Sequence, residues 1–163
     1  MSDPVRVGII DHGSGNLHSV GRALRRVGAE VTVSHDPKTL RETDALVLPG
    51  VGALAAGMAG LRAMGGDRLV HQWVDEGRPL LGICVGHQML FERGRERGVD
   101  VKCLGVLPGV VAKLPAPRLP HMGWNTVTPA TGSALFRNAN ERFYFVHSLS
   151  LIHISEPTRL RRI

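Results

Sequence analysis

Short apolar runs alternate with helical patterns along residues 5–97, and that alternation admits few folds. "VRVGII", "EVTVS", "DALVLPG" and "PLLGIC" read as strands. "LHSVGRALRRVG" reads as an amphipathic helix that sets Leu17, Val20, Leu24 and Val27 on one face and stops at Gly28. "VGALAAGMAGLRAMGG" and "LVHQWVDEG" supply helical segments before the fourth strand, and "GHQMLFERGRER" is expected to form the helix after it. Strands separated in this way build a parallel sheet, because a parallel connection needs a crossover long enough to hold a helix. "DALVLPG" is nearly continuous in apolar residues, as a strand covered on both faces must be.

From Val101 onward the texture changes to β-like pieces broken by proline: "VKCLGVLPGVVAKL", "GWNTVTP" and "RFYFVHS". The expected fold is therefore α/β, an open and mostly parallel sheet flanked by helices with an antiparallel extension. A chain of 163 residues is long enough for one such domain.

Composition narrows the function. No apolar run approaches the ~18 residues of a membrane span, and "MSDPVRVGII" lacks the features of a signal peptide, so a cytoplasmic protein is expected. Cys84 and Cys103 lie in separate elements and suggest neither a disulfide nor a zinc site. His12, His18, His35 and His71 lack metal-ligand spacing and are expected at the surface or an interface; no metal is implied. The net charge of +6 does not signify nucleic acid, because the basic residues do not cluster in the body of the chain and aromatic residues make up only 4%. "DHGSGN" contains a G-x-G but has His18 where a dinucleotide fingerprint needs its third glycine.

The stretch "GICVG" has the strand, nucleophile and helix order of a nucleophile elbow. Gly82 and Gly86 leave room for a strained turn and close backbone approach. The turn would thrust the Cys84 sulfur out of the sheet and set it at a helix N-terminus, whose free N–H groups attract negative charge. The other reading of Cys84 is a buried, inert thiol, which the element order disfavours. A cysteine attacking a carbonyl needs donors for the developing oxyanion. "LPGVGA" ends the third strand, where Gly50 and Gly52 can turn their amides toward a ligand, and the Val85 N–H would be the second donor. Taken alone, "PGVG" is an ordinary strand-to-helix turn.

These residues resemble the class I glutamine amidotransferases, whose triad is Cys-His-Glu and whose fold is flavodoxin-like. "DHGSGNL", "LPGVGA", "LPHMGWN" and "YFVHS", in this order, more narrowly resemble the glutaminase subunits of imidazole glycerol phosphate synthases of histidine biosynthesis. The resemblance covers about residues 5–148 and departs at His87, where these subunits more often carry methionine. It implies Cys84 as nucleophile, with the Gly52 and Val85 amides at the oxyanion. It implies Gly50, Gln88 and Glu96 as residues that hold glutamine, with Ser148 a further candidate. Asn16, His121, Trp124, Asn125, Tyr144 and His147 match positions that face the synthase partner or support the site beside it. That partner would be a (β/α)₈-barrel cyclase receiving ammonia; no metal or organic cofactor is implied. The competing readings are a glutaminase subunit of an anthranilate or aminodeoxychorismate synthase, and a non-catalytic binding module of the same fold.

The implied chemistry needs a histidine to relay protons and a carboxylate to orient it. In this family both come from an H-P-E segment, and neither H-P-E nor H-x-E occurs in the chain. After "YFVHS" the chain reads "LSLIHISEPTRLRRI", which resembles a translated transposase-type sequencing adaptor. The domain is accordingly expected over residues 1–148, truncated, with 149–163 a non-native tail carrying +2 of the net charge. A domain lacking its last strands is expected to leave a sheet edge and apolar surface uncovered.

Overall fold

The computed structural model describes residues 3–129, 131–133 and 141–151. Its first half is the expected parallel sheet. β1 (Arg6–Ile10), β2 (Glu30–Ser34), β3 (Ala45–Gly50) and β4 (Leu80–Cys84) lie in the order β2-β1-β3-β4, every pair parallel. Side chains alternate along these strands and so divide the core. Val7, Ile9 and Val47 face α1 (Leu17–Arg26), meeting Leu17, Val20 and Leu24. Ile10, Leu46 and Leu48 face α3 (Leu54–Ala63) and α4 (Gly66–Asp75), meeting Leu54, Met58, Leu61, Leu69 and Trp73.

Val27 does not join the buried face of α1. It caps the helix C-terminus and is 80% exposed, because Gly28 at φ 89° turns the chain away before another helical residue is placed. A short helix, α2 (Pro37–Arg41), fills the β2–β3 connection, with Asp36 as N-cap accepting from the Lys38 and Thr39 amides and proline at its start. These bonds hold the Asp36 carboxyl below its ordinary value, the Lys38 amide contributing most.

The helix expected over 86–97 is cut to one turn, α5 (Val85–Gln88), followed by β5 (Phe91–Glu96). "ERGRERG" offers no apolar side chain with which a longer helix could face the core. Arg97 and Gly98 both have positive φ, at 49° and 80°, and form the two-residue turn that joins β5 to β6 (Val99–Lys102) as an antiparallel hairpin. β7 (Leu107–Lys113) runs parallel to β5, and β10 (Leu149–Leu151) pairs antiparallel with β7, completing a mixed sheet in the order β10-β7-β5-β6. β8 (His121–Thr126) and β9 (Arg142–His147) form a separate antiparallel pair. The expected antiparallel portion is thus carried by two further sheets. Residues 152–163 of the expected tail lie outside the described residues, whereas Leu149–Leu151 form β10.

Among the described residues β4 ends the parallel sheet, and Leu81 on its α1 side is 40% exposed. No helix among them is long and apolar enough to cross a membrane.

Two stability measurements check this packing. Leu48→Ala should cost about 2–5 kcal/mol in denaturant unfolding, because Leu48 is fully buried, whereas Leu81→Ser should stay within about 1 kcal/mol. His87 rests its ring edge-on against Phe91 at 5.1 Å, and the surrounding protein pushes its pKa below the ordinary histidine value by desolvation. The unfolded chain then binds the proton first, so stability should fall as pH drops through the unfolded value of about 6.5. His87→Gln should flatten that part of a stability–pH profile.

Candidate active site

β4 delivers Cys84 to the C-terminal edge of the sheet, directly in register with Gly50 at the end of β3. Its backbone has φ 55° and ψ −119°, a region that costs a side-chain-bearing residue of order 1–3 kcal/mol. Such a turn ends the strand abruptly and starts α5 at the next residue. The thiol is exposed while Val85 and Gly86 beneath it are buried. Cys103, in contrast, is buried, and desolvation pushes its thiol upward.

Three glycines permit the turn. A Cβ on Gly86 would overlap the Leu48 carbonyl; one on Gly50 would sit 2.5 Å from the Gly86 nitrogen; one on Gly82 would sit 2.6 Å from the His87 Cα. The close approach expected of Gly82 and Gly86 is therefore real and is backbone against backbone.

The segment after β3 faces this elbow. Gly52 takes φ 78°, and α3 begins at Leu54 behind an alanine N-cap that supplies no side-chain bond. Glu96 supplies it instead: its Oε2 accepts from the Leu54 N–H at 3.1 Å. The end of β5 is thereby joined to the turn beside Cys84. Gln88 lies on α5 four residues beyond Cys84, and its Oε1 is buried with no hydrogen-bond partner among the described residues. An unpaired buried carbonyl oxygen calls for a donor such as an ammonium or amide group.

The loop after β1 grips the same turn from the other side. His12 Nε2 lies 2.7 Å from the Pro49 carbonyl. The Ser14 hydroxyl donates to the Val51 carbonyl at 2.7 Å and accepts from the Val51 N–H at 3.3 Å. Gly15 packs on Pro49, where a Cβ would come within 3.1 Å. His12, expected at the surface or an interface, is 6% exposed and packs inside the fold against Pro49. Nothing in the composition of "DHGSGN" marks it as a clamp. The signal is positional: β1 lies beside β3, so polar residues at the end of one reach the end of the other.

The remaining candidates fall elsewhere. Asn16 is the N-cap of α1, accepting from the Ser19 N–H at 3.2 Å. Trp124 and Tyr144 are cross-strand partners on β8 and β9, ring centroids 5.5 Å apart, both more than half exposed. His121, Asn125 and His147 take alternate positions and line a cavity of about 220 Å³ with Leu114 and Phe145. The His147 ring nitrogen Nδ1 donates to the Leu149 carbonyl, and the Ser148 carbonyl accepts from Leu114. Ser148 thus belongs to the strand junction between β9 and β10. Among the described residues no cluster of three or more histidine, cysteine or carboxylate side chains could hold a metal ion.

Comparison with known proteins agrees with this geometry. Residues 8–162 match the family model of class-I glutamine amidotransferases. A subunit named imidazole glycerol phosphate synthase subunit HisH, from Cutibacterium acnes, is 82% identical over 152 residues, covering 93% of this chain and 74% of that protein. A protein of the same name from Thermobifida fusca is 56% identical over 145 residues, covering 88% of this chain and 69% of its own length. A crystal structure of a glutamine amidotransferase superposes with a TM-score of 0.70 at 23% identity, over 92% of this chain and 75% of that one, a likeness of fold. The elbow at Cys84, the family match and the high identity lead to one conclusion: the chain belongs to the class I glutamine amidotransferase family.

Proposed function

We infer that the chain belongs to the glutaminase subunit of imidazole glycerol phosphate synthase, a subunit that hydrolyses glutamine to glutamate and supplies ammonia to a cyclase subunit in histidine biosynthesis. The observation that carries this reading is the Cys84 elbow, set in register with Gly50 in a chain 82% identical to a subunit bearing that name. The Cys84 sulfur attacks the side-chain amide carbon of glutamine, and the amide oxygen takes the negative charge. Gly52 and Val85 supply N–H groups to it. Val85 opens α5, so its N–H has no place in the helix's own bonding ladder. The Val51 N–H already binds Ser14, which leaves Gly52 as the donor from the turn. Ammonia leaves, a γ-glutamyl thioester remains on Cys84, and water releases glutamate. Gln88 Oε1 and the second oxygen of Glu96 receive the substrate's ammonium end, a role supported by the lack of a partner for the first among the described residues and by the bond that sets the second beside the turn. Gly50 lets the substrate approach the backbone, whereas Ser148 lies at the junction of β9 and β10 with its carbonyl bonded to Leu114.

Proton relay needs the histidine and glutamate of an H-P-E segment, which this chain does not contain. Cys84 should therefore be acylated or alkylated by glutamine-like reagents without sustained turnover. Incubation with a chloromethyl ketone analogue of glutamine should add one adduct, located at Cys84 by mass spectrometry and absent from Cys84→Ala. Steady ammonia release by the 163-residue chain would overturn the statement on turnover; no adduct at Cys84 would overturn the glutaminase reading.

The partner face is the exposed side of the β8–β9 pair, where Met122, Trp124, Tyr144 and Val146 are each more than half exposed on one side of the sheet. A patch of this kind marks an interface, and aromatic residues dominate such surfaces. Its occupant is a (β/α)₈-barrel cyclase; Asn16 at the start of α1, and His121, Asn125 and His147 on the opposite side of the β8–β9 pair, are further candidates for contact with it or for support of the site beside it. Trp124→Ala should weaken binding to that cyclase by at least about tenfold, as expected for a buried aromatic anchor, with no more than a small change in folding stability. Unchanged affinity in titration calorimetry would place the docking surface elsewhere.

A further inference from the structure

We propose that His12 is a positioning residue for the turn beside Cys84, acting through the Pro49 carbonyl. The proposal rests on the reading of Cys84 as the glutaminase nucleophile. His12 lies in the loop between β1 and α1, and its contact with Pro49 is buried. A carbonyl can only accept, so Nε2 is the donor, and the Pro49 contact leaves Nδ1 without a partner. That Nδ1 is itself buried, with no hydrogen-bond partner among the described residues. Burying a polar ring atom without a partner costs stability, and an apolar ring of similar size would fill the space without that cost. What the imidazole supplies in return is a rigid N–H aimed at Pro49.

The ring is backed by α3. A Cβ on Gly60 would overlap the His12 carbonyl and come 3.7 Å from Nδ1, so the absence of a side chain there allows His12 to sit against the helix. The consequence reaches Cys84 in two steps. The Pro49 carbonyl belongs to the planar peptide that continues into Gly50, so holding the oxygen holds the plane and the direction in which the chain enters Gly50. Gly50 is the register partner of Cys84. The neighbouring Ser14 contacts hold Val51 in an exposed setting, whereas the His12 bond is sheltered from water and is the stronger restraint.

The test compares His12→Leu, which removes the donor, His12→Gln, which restores a neutral N–H at similar reach, and Gly60→Ala, which displaces His12 while leaving its ring. Amide hydrogen exchange is read at Gly50, Val51 and Gly52, with Ile9 and Val47 reporting global opening. His12→Leu and Gly60→Ala should speed exchange in the turn by roughly tenfold and leave Ile9 and Val47 unchanged; His12→Gln should return it toward the parent rate. In parallel, Cys84 is alkylated by the chloromethyl ketone analogue of glutamine and by iodoacetamide. In the first reaction the Cys84 sulfur bonds to the chloromethyl carbon, chloride departs and the thiol proton passes to solvent. The rate ratio of the two reagents should fall in His12→Leu and Gly60→Ala and recover in His12→Gln. Exchange that stays unchanged in the turn, or rises equally at Ile9 and Val47, overturns the proposal, as does a ratio that ignores the substitutions while the parent favours the analogue. If the parent shows no preference for the analogue, the glutaminase reading fails, and the exchange rates still decide whether His12 holds the turn.

Discussion

At the C-terminal ends of β3 and β4 two backbones pack more closely than side chains would allow. Gly86 lies on the Leu48 carbonyl, Gly50 on the Gly86 nitrogen, and Gly82 under the backbone of His87. Without these contacts the chain could not leave β4, reverse through Cys84 at φ 55° and enter a helix within one residue. The strain at Cys84 is offset by what the turn buries: Val85, Met89 and Leu90 all join the core shared with Leu48 and Leu54. A single crowded junction therefore exposes the sulfur and secures the hydrophobic centre.

The parallel sheet was legible in the sequence because its signals are local. "DALVLPG" is apolar at nearly every position since both faces of β3 are covered, and Leu48 and Val47 do meet different layers of the core. The elbow was legible for a similar reason, glycine on each side of a cysteine at the end of a strand. What escaped was decided by partners distant in the chain. Phe91–Glu96 is a strand because β6 and β7 offer it a ladder on each side, and Gly94 is buried there against Leu54, where a Cβ would not fit. The Arg97–Gly98 turn was a local sign of that hairpin, outweighed in the sequence by the apparent continuity of "GHQMLFERGRER". The role of His12 was also hidden, because a histidine in a glycine-rich loop reads as exposed until β3 is set beside β1.

The hairpin of β8 and β9 shows how strand alternation separates two chemistries on adjacent positions. Met122, Trp124, Tyr144 and Val146 face one way, and His121, Asn125, Phe145 and His147 the other. The first side is exposed and largely apolar; the second turns imidazoles edgewise to one another, with His121 and His147 centroids 5.4 Å apart. A shift of register by one residue would exchange the two faces completely. The aromatic pair Trp124–Tyr144 and the histidine pair His121–His147 stand directly opposite across the ladder, so each face contributes its own cross-strand contact to the single register observed.

Glu96 joins the end of β5 to the turn beside Cys84. Helix α3 starts at a residue whose own N-cap is alanine, which cannot accept from the first free amides of the helix. The Glu96 carboxylate takes that place from another sheet, and its negative charge suits a helix N-terminus. Because Oε2 is engaged by Leu54, a ligand meets a carboxylate already fixed in orientation, with no side-chain rotation left to lose on binding. The same bond ties the end of β5 to the residue two beyond Gly52. The Glu96 carboxylate and the loop that carries His12 and Ser14 thus meet one short segment, 49–54, anchored at its start by the β1 loop and at its end by β5.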